Sequence, residues 1–385
     1  MPSALVLMSI LGYVCLSVAA GYAVLTVTAV LVWRSRKGSI GARSLPPITM
    51  LKPLCGAEPG LYHHLRSFCL QDYPQFQIIC GVRDPDDPAC AVVKRLAAEF
   101  PAVPIDLVIN PELHGSNLKI SNLINMLPFA RHDVLALADS DAFVGGDYLR
   151  SVTAPLLDRS VGLVTCLYRG APTPKIWSRL GAMYINEWYL PSVLVAWLFG
   201  HQGYVSGQTI CLRRDTLQSI GGLEPLANHL ADDHRLGELV RAAGERIVLS
   251  PYVVQGEHHE PTFDSLLRHE LRWLRTVRVL RPRSFRFIFV TFVVPLAVLG
   301  IAVAAPGSLR SGAAWGLFGA VLTARLVLYF VPRLRDPNPL SDLWLVPVRD
   351  FLMCWVWLRS FFTSHVTWRG SKFAVGADGV MRPLS

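Results

Sequence analysis

The sequence predicts an α/β fold, a mostly parallel sheet flanked by helices, with apolar segments at both ends of the chain. Three observations carry this expectation. Short apolar runs alternate with helical stretches between residues 48 and 138, the pattern of a parallel sheet covered by helices. Polar and charged residues gather where these runs end. The hydrophobic fraction of 52% exceeds that of an ordinary soluble domain, and the excess lies in a few blocks.

The first block, residues 4–33, is almost uncharged and long enough to cross a bilayer. A cleaved signal needs a basic start and a shorter apolar core, and no charge precedes Arg34, so an uncleaved anchor is expected. Residues 48–51 then read as a strand, 52–60 as a Pro/Gly-containing loop and 61–70 as a helix. Further strands are expected at 77–82, 105–109 and 134–138, with helices at 88–100, 119–127 and 236–242. The apolar stretch 188–199 is short for a span and reads as either a buried core helix or a membrane-surface helix. Residues 287–305 and 313–331 are candidate spans; Arg325 in the second is costly in lipid and is expected to face protein or to snorkel. Pro347, Arg349 and Asp350 interrupt 343–362, which is either a span with an internal ion pair or an interfacial helix.

The chain therefore divides into an N-terminal anchor (1–36), an α/β domain (45–285) and a C-terminal membrane region with its tail (286–385). Arg34, Arg36, Lys37 and Arg43 follow the first span, and Arg275, Arg278, Arg281, Arg283 and Arg286 precede the second. Basic flanks mark the cytoplasmic side, which sets residues 34–286 there. They also account for the net charge of +9 through anionic lipid, without nucleic acid. The eight cysteines show neither CxxC nor Cys/His ligand spacing, which argues against zinc and fits a reducing compartment.

The most informative motif is Asp139-Ser140-Asp141, at the end of the fourth strand. Ligands of open α/β sheets bind beyond the carboxyl ends of the strands, and two carboxylates one residue apart suit a hard divalent cation. A solvated turn is the plain alternative. Arg83-Asp84-Pro85-Asp86-Asp87-Pro88 and the loop 110–117 leading to Lys119 fall on the same rim, which together describes a nucleotide-sugar site better than a random surface.

Several strings now carry a resemblance: Leu51-Lys52-Pro53-Leu54-Cys55-Gly56, Asp72-Tyr73-Pro74, Asp84-Pro85-Asp86-Asp87-Pro88, 117–123, Asp139-Ser140-Asp141, 207–222, Ala231-Asp232-Asp233 and Arg272-Trp273. In this order they resemble the ceramide glucosyltransferases. Within that group, 121–128 (SNLINMLP), 161–169 (VGLVTCLYR) and 269–273 (HELRW) are most similar to the bacterial hopanoid-biosynthesis glycosyltransferases. The resemblance implies a GT-A-like nucleotide-diphospho-sugar transferase domain with N- and C-terminal transmembrane helices. It implies a membrane-bound, inverting enzyme that moves N-acetylglucosamine from UDP-N-acetylglucosamine to a hopanoid lipid, bacteriohopanetetrol. The alternative is ceramide as acceptor and UDP-glucose as donor.

Residue by residue, the resemblance makes Asp141 the ligand of a divalent cation, Mg²⁺ or Mn²⁺, with Asp139 on the ribose or the metal's water shell. Asp84 would meet the nucleobase, with Asp86 and Asp87 as neighbouring choices, and Lys119 would meet uracil or phosphate. Asp233 takes the position of the catalytic base, beside Asp232 as a helix cap; adjacent carboxylates raise at least one pKa. Arg272 would contact the diphosphate and Trp273 the acceptor or sugar; the alternative is a basic juxtamembrane residue beside an interfacial anchor. His269 stands where the family more usually has Gln or Arg, which weakens a polysaccharide-synthase reading. The catalytic domain would face the cytoplasm at a bacterial inner membrane. From other classes come a membrane transporter, which would need more spans and intramembrane polar sites, and a non-catalytic UDP-sugar-binding membrane protein.

Overall fold

A computed structural model describes residues 4–36, 45–201, 203–308, 312–331, 340–362, 365–368, 371–376 and 378–384. Contacts divide the chain into two units. One comprises Met1–Ser35, Pro174–Gly200 and Glu260–Ser364, the other Arg36–Thr173, His201–His259 and His365–Ser385. This differs from the blocks 1–36, 45–285 and 286–385. Segments 174–200 and 260–285 pack with the apolar helices, and the C-terminal tail packs with the sheet.

The sheet unit contains β1 (Ile48–Pro53), β2 (Phe76–Val82), β3 (Ile105–Ile109), β4 (Val134–Leu137), β5 (Ala142–Phe143), β6 (Val161–Pro172), β7 (Ile210–Arg213) and β8 (Arg246–His258), in the order β3-β2-β1-β4-β7-β6-β8-β5. The first four are parallel, β7 runs antiparallel to both β4 and β6, and β6 pairs β8 in parallel. Alternate strand residues feed opposite faces. Ile48, Met50, Ile78 and Ala136 join one core with Leu65 and Phe68 of the helix Leu61–Cys69 and Val93 and Leu96 of the helix Ala89–Glu99. Leu51, Ile79, Leu135 and Leu137 join the other, with Ile120 and Leu123 of the helix Leu118–Met126 and Leu236 of the helix Asp232–Ala242. Each such buried aliphatic side chain contributes about 1.5–3 kcal/mol. Helices thus cover both faces, which leaves the strand ends to carry the site. A second, antiparallel sheet is formed by β9 (His365–Trp368), β10 (Ser371–Val375) and β11 (Met381–Pro383).

In the helical unit, Ala4–Ser35 and Gly312–Phe330 are the two helices among the described residues long and apolar enough to cross a membrane. The expected span 287–305 becomes α-helical only at Val293, after the 3₁₀ turn Ile288–Thr291. Its helix approaches the N-terminal one closely: a Cβ on Gly12 would overlap Ala304, and one on Gly300 would lie 2.9 Å from the Gly12 carbonyl. The stretch 188–199 belongs to a continuous helical segment, Ile176–Met183, a π-helical turn Tyr184–Tyr189, and Leu190–Leu198. It packs on the N-terminal helix through Tyr22 Oη to Ser192 Oγ (3.1 Å) and Trp33 against Trp197 (5.0 Å).

Arg325 faces protein. Its guanidinium grips Asp350 through two bonds of 2.9 and 2.8 Å and donates to Glu187 Oε2 at 3.1 Å. It also donates to the Glu187 carbonyl, the group that Pro191, four residues on and without an N–H, cannot reach. Arg349 makes its own bidentate pair with Glu270, at 2.6 and 2.8 Å. The helix Leu345–Ser360 therefore contains no internal Arg349–Asp350 pair; each residue is matched by a different helix.

Candidate active site

β1 delivers Lys52 to the rim fully buried, its ammonium over the Phe68 ring at 3.8 Å and donating to the Asp139 carbonyl. Burial lowers this ammonium to about 8, against the pull of Asp139 and Asp141. The turn after β4 is thus fixed from beneath by a positive charge in a nearly apolar setting.

Above it, Lys119 Nζ lies 2.6 Å from Asp139 Oδ1 and 3.4 Å from Asp232 Oδ2. Burial works against its charge, but Asp139 and Asp232 prevail and hold Lys119 well above the ordinary lysine range. Asn117 caps this helix, accepting from the amides of Lys119 and Ile120, and its own amide donates to the His229 carbonyl (2.9 Å) and Asp232 Oδ1 (3.3 Å). One asparagine therefore ties the start of the Lys119 helix to the start of the Asp232–Ala242 helix.

Gly207 joins the two acidic sets. Its carbonyl accepts from the Asp139 amide, and its amide donates to Asp233 Oδ2 at 3.2 Å. A Cβ here would lie 2.9 Å from both Asp139 Oδ2 and Lys119 Nζ, so only glycine fits undisturbed. The next residue, Gln208, donates to Asp141 Oδ1 at 2.9 Å, while its own buried Oε1 has no protein partner. Burial, then the neighbouring Asp139, pushes the Asp141 carboxyl up to about 6. Burial, then Asp232, pushes Asp233 up to about 6 as well.

The structure thus brings Lys119, Asp139, Asp141 and Asp233 into one linked cluster. Asp232 is not a cap. The helix starts at Asp232 rather than 236, Ala231 is its N-cap without a side-chain bond, and Asp232 faces Lys119. Asp84 is exposed, and its Oδ1 accepts from the Asp86 amide in its own loop. Asp87 fastens that loop to the one after β1, through the Gly56 amide at 2.9 Å. Arg272 and Trp273 belong to the helical unit, on the helix Phe263–Leu280. There Trp273 packs on Tyr184 (5.1 Å) and His269 (4.1 Å), and neighbouring Glu270 is locked to Arg349.

Sequence reasoning missed Lys52, Gln208 and the pair of buried His64 with half-buried Glu257 (3.2 Å), whose Glu257 amide donates to the Asp141 carbonyl. Lys52 had a signal: a lysine inside an otherwise apolar strand run is seldom buried without a partner.

Chemically, four carboxylates (Asp139, Asp141, Asp232, Asp233) face two ammonium groups (Lys52, Lys119), an excess of acid at a strand-end rim. All the candidate donors are hard oxygens, a set suited to Mg²⁺ or Mn²⁺. Among the described residues, no group of three or more His, Cys, Asp or Glu is gathered for a metal. Further ligands would have to come from a bound diphosphate and water.

Comparison with known proteins fits this geometry. Residues 13–381 match glycosyl transferase family 21. The chain is similar to ceramide glucosyltransferase 1 of Caenorhabditis elegans, 22% identical over 350 residues covering 88% of this chain and 74% of that protein. It is also similar to a ceramide glucosyltransferase of Komagataella phaffii, 34% identical over 119 residues covering 30% of this chain and 23% of that protein. Among solved structures, the mannosyltransferase PcManGT of Pyrobaculum calidifontis, in complex with GDP-Man and Mn²⁺, aligns with a TM-score of 0.52 at 16% identity, covering 92% of this chain and 99% of that one. That likeness shows a GT-A-like fold.

Proposed function

We propose a reaction for this chain, which belongs to glycosyl transferase family 21 and is a glycosyltransferase: transfer of glucose from UDP-glucose to the primary hydroxyl of ceramide, at a membrane, with inversion. The observation that carries it is the cluster in which Gly207 links the Asp139 turn to Asp233, with Lys119 between Asp139 and Asp232. The ceramide acceptor rests on the curated relatives named above. A second reading, N-acetylglucosamine from UDP-N-acetylglucosamine to bacteriohopanetetrol, rests on the strings at 121–128, 161–169 and 269–273. Transporter and non-catalytic binding readings give way to family membership.

In the reaction, the Asp233 carboxylate takes the proton of the acceptor hydroxyl as its oxygen bonds to the anomeric carbon and the bond to the diphosphate breaks. A single displacement inverts that carbon, so an α-linked donor gives a β-linked product. Burial suits Asp233 to this work: it ionises near pH 6 and so is a stronger base than an ordinary aspartate. Asp141, with Asp139 beside it, would hold Mg²⁺ or Mn²⁺, which when bound supplies charge neutralisation to the leaving diphosphate. Asp141 fits that role because its carboxylate is held back by burial and by Asp139, a cost that a cation relieves. Lys119 orients the Asp139 side chain and offers its charge to uracil or phosphate, and Asp84 is assigned to the nucleobase. Arg272 and Trp273 are assigned to diphosphate and acceptor on the strength of their motif. The apolar helices are taken as membrane anchors, and the basic flanks put the catalytic unit in the cytoplasm.

The test is a matrix of purified protein with UDP-glucose or UDP-N-acetylglucosamine and ceramide or bacteriohopanetetrol, read by mass spectrometry of the lipid products. Glucosylceramide as the dominant product supports the proposal. An N-acetylglucosaminyl hopanoid as the dominant product replaces it with the second reading.

A further inference from the structure

The loop 227–231, which leads into Asp232 and Asp233, is bonded on both sides. Toward Lys119, the Ala227 carbonyl accepts from the Asn117 amide (2.8 Å), and Asn228 Oδ1 accepts from the Ser116 amide (2.9 Å). There is no room to slip, since a Cβ on Gly115 would overlap the Ala227 carbonyl. On the other side lies the end of the chain. The Met381 amide donates to the Asn228 carbonyl (2.8 Å), the Leu230 amide donates to the Gly379 carbonyl (3.0 Å), and His229 bridges Val380 as in an antiparallel pair. Ser116 closes the arrangement, because its hydroxyl reaches the Met381 carbonyl at 3.2 Å as well as Asn228 Oδ1.

We propose that the C-terminal tail is a positioning element of the active site, with residues 379–381 clasping the 227–231 loop so that Asp232 and Asp233 are held against the Lys119 helix. The argument is one of constraint. The loop has little regular structure of its own, and its Asn228 carbonyl and Leu230 amide are both answered by the tail. Asn117 then carries the loop's position to Asp232, through the His229 carbonyl and Asp232 Oδ1. Asp233 follows one residue on, with its own anchor at the Gly207 amide. Asn228, Ser116 and the tail backbone touch neither Asp233 nor the Asp139 turn in this network; they act through the loop. The Met381 side chain is itself buried.

The inference rests on the reading of Asp233 as base, so Asp233→Asn is the control. The test uses the full chain in detergent carrying Asn228→Ala or Ser116→Ala, and a chain lacking residues 376–385, with transfer from UDP-glucose to ceramide measured across pH. The clasp predicts that truncation lowers kcat by about ten- to a hundredfold, the scale of a small misplacement of a catalytic group, while KM for the UDP-sugar changes by less than about threefold. It also predicts a shifted acid limb in the kcat profile, and partial recovery when a peptide of residues 371–385 is added. The point variants should move kcat and the acid limb the same way, to a smaller extent, which keeps the question decidable if the truncated chain does not fold. Wild-type kcat and acid limb in Ser116→Ala, which loses the side-chain bond to the Met381 carbonyl, with Asp233→Asn inactive, would overturn the clasp alone. Wild-type turnover in Asp233→Asn would remove the base assignment and the clasp with it.

Discussion

Replacing Asp233 by Asn keeps the side chain's shape and one oxygen, enough to accept from the Gly207 or the His234 amide but not from both, and removes the basic site the displacement mechanism uses there. Loss of a general base costs about 10²–10⁴ in rate, which is about 3–5 kcal/mol at 1.36 kcal/mol per decade. The pH dependence follows from the raised pKa. With burial pushing Asp233 up to about 6, the carboxylate is the main form at pH 7 and the protonated acid the main form at pH 5. Native turnover should therefore fall as pH drops through 6, by about tenfold for each further unit. In Asp233→Asn, at saturating Mn²⁺ so that Asp141 stays ionised, that limb should vanish, leaving a low, flatter rate. The assay is transfer of labelled glucose to ceramide between pH 5 and 8, with UDP affinity measured by calorimetry as the control for folding. UDP should bind within about threefold of native, since the change removes an interaction of the transition state rather than of the ground state. Turnover within tenfold of native, with the acid limb intact, would refute the assignment of Asp233 as base.

Gly207→Ala sets a Cβ 2.9 Å from Asp139 Oδ2 and Lys119 Nζ, both far ends of side chains that can swing aside. The fold should survive while the Lys119–Asp139 bridge opens, raising KM for the UDP-sugar by about tenfold with little change in Tm; an unchanged KM would show that the bridge does not matter to the donor. Chelation should abolish transfer and Mn²⁺ should restore it, and Asp141→Asn should need about tenfold more Mn²⁺ or beyond for half-activity. Full activity in the presence of chelator would remove the cation from the account. In the helical unit, Arg349→Met strands the buried Glu270 carboxylate and should cost about 3–5 kcal/mol, whereas Arg349→Met with Glu270→Leu should recover most of it. Thermal melts of the single and double variants in detergent read this directly, and a double variant no better than the single would contradict it.

The parallel half of the sheet was legible because each strand there is a short apolar run bounded by turn residues. Residues 48–51 fall within β1, 105–109 coincide with β3, and the helices expected at 88–100 and 119–127 lie within a residue or two of those observed. β7 was not legible: Ile210–Arg213 is four residues long and gains its place between β4 and β6 from pairing with sequence-distant strands. The rim was legible as a set of loops but not as a cluster. Spacing places Asp139 and Asp141 at a strand end, whereas the Lys119–Asp139 pair, and the Gly207 bridge from the Asp139 turn to Asp233, arise only when separate chain segments close over the sheet. Lys52 was missed because the strand was ended at residue 51, which left it in the following loop, and the internal Arg349–Asp350 pair, one of two readings of 343–362, does not form because adjacent residues on a helix point in different directions. The role of the tail is longer-range still, since Ser116 and Met381 meet across 265 residues.

The most direct test of the account is the configuration of the product's anomeric carbon, read by NMR after incubating the purified protein with UDP-α-glucose labelled with ¹³C, ceramide and Mn²⁺. A single displacement assisted by Asp233 predicts β-glucosylceramide formed by native protein and lost in Asp233→Asn. An α-linked product, or β-linked product formed at the native rate without the Asp233 carboxylate, would contradict it.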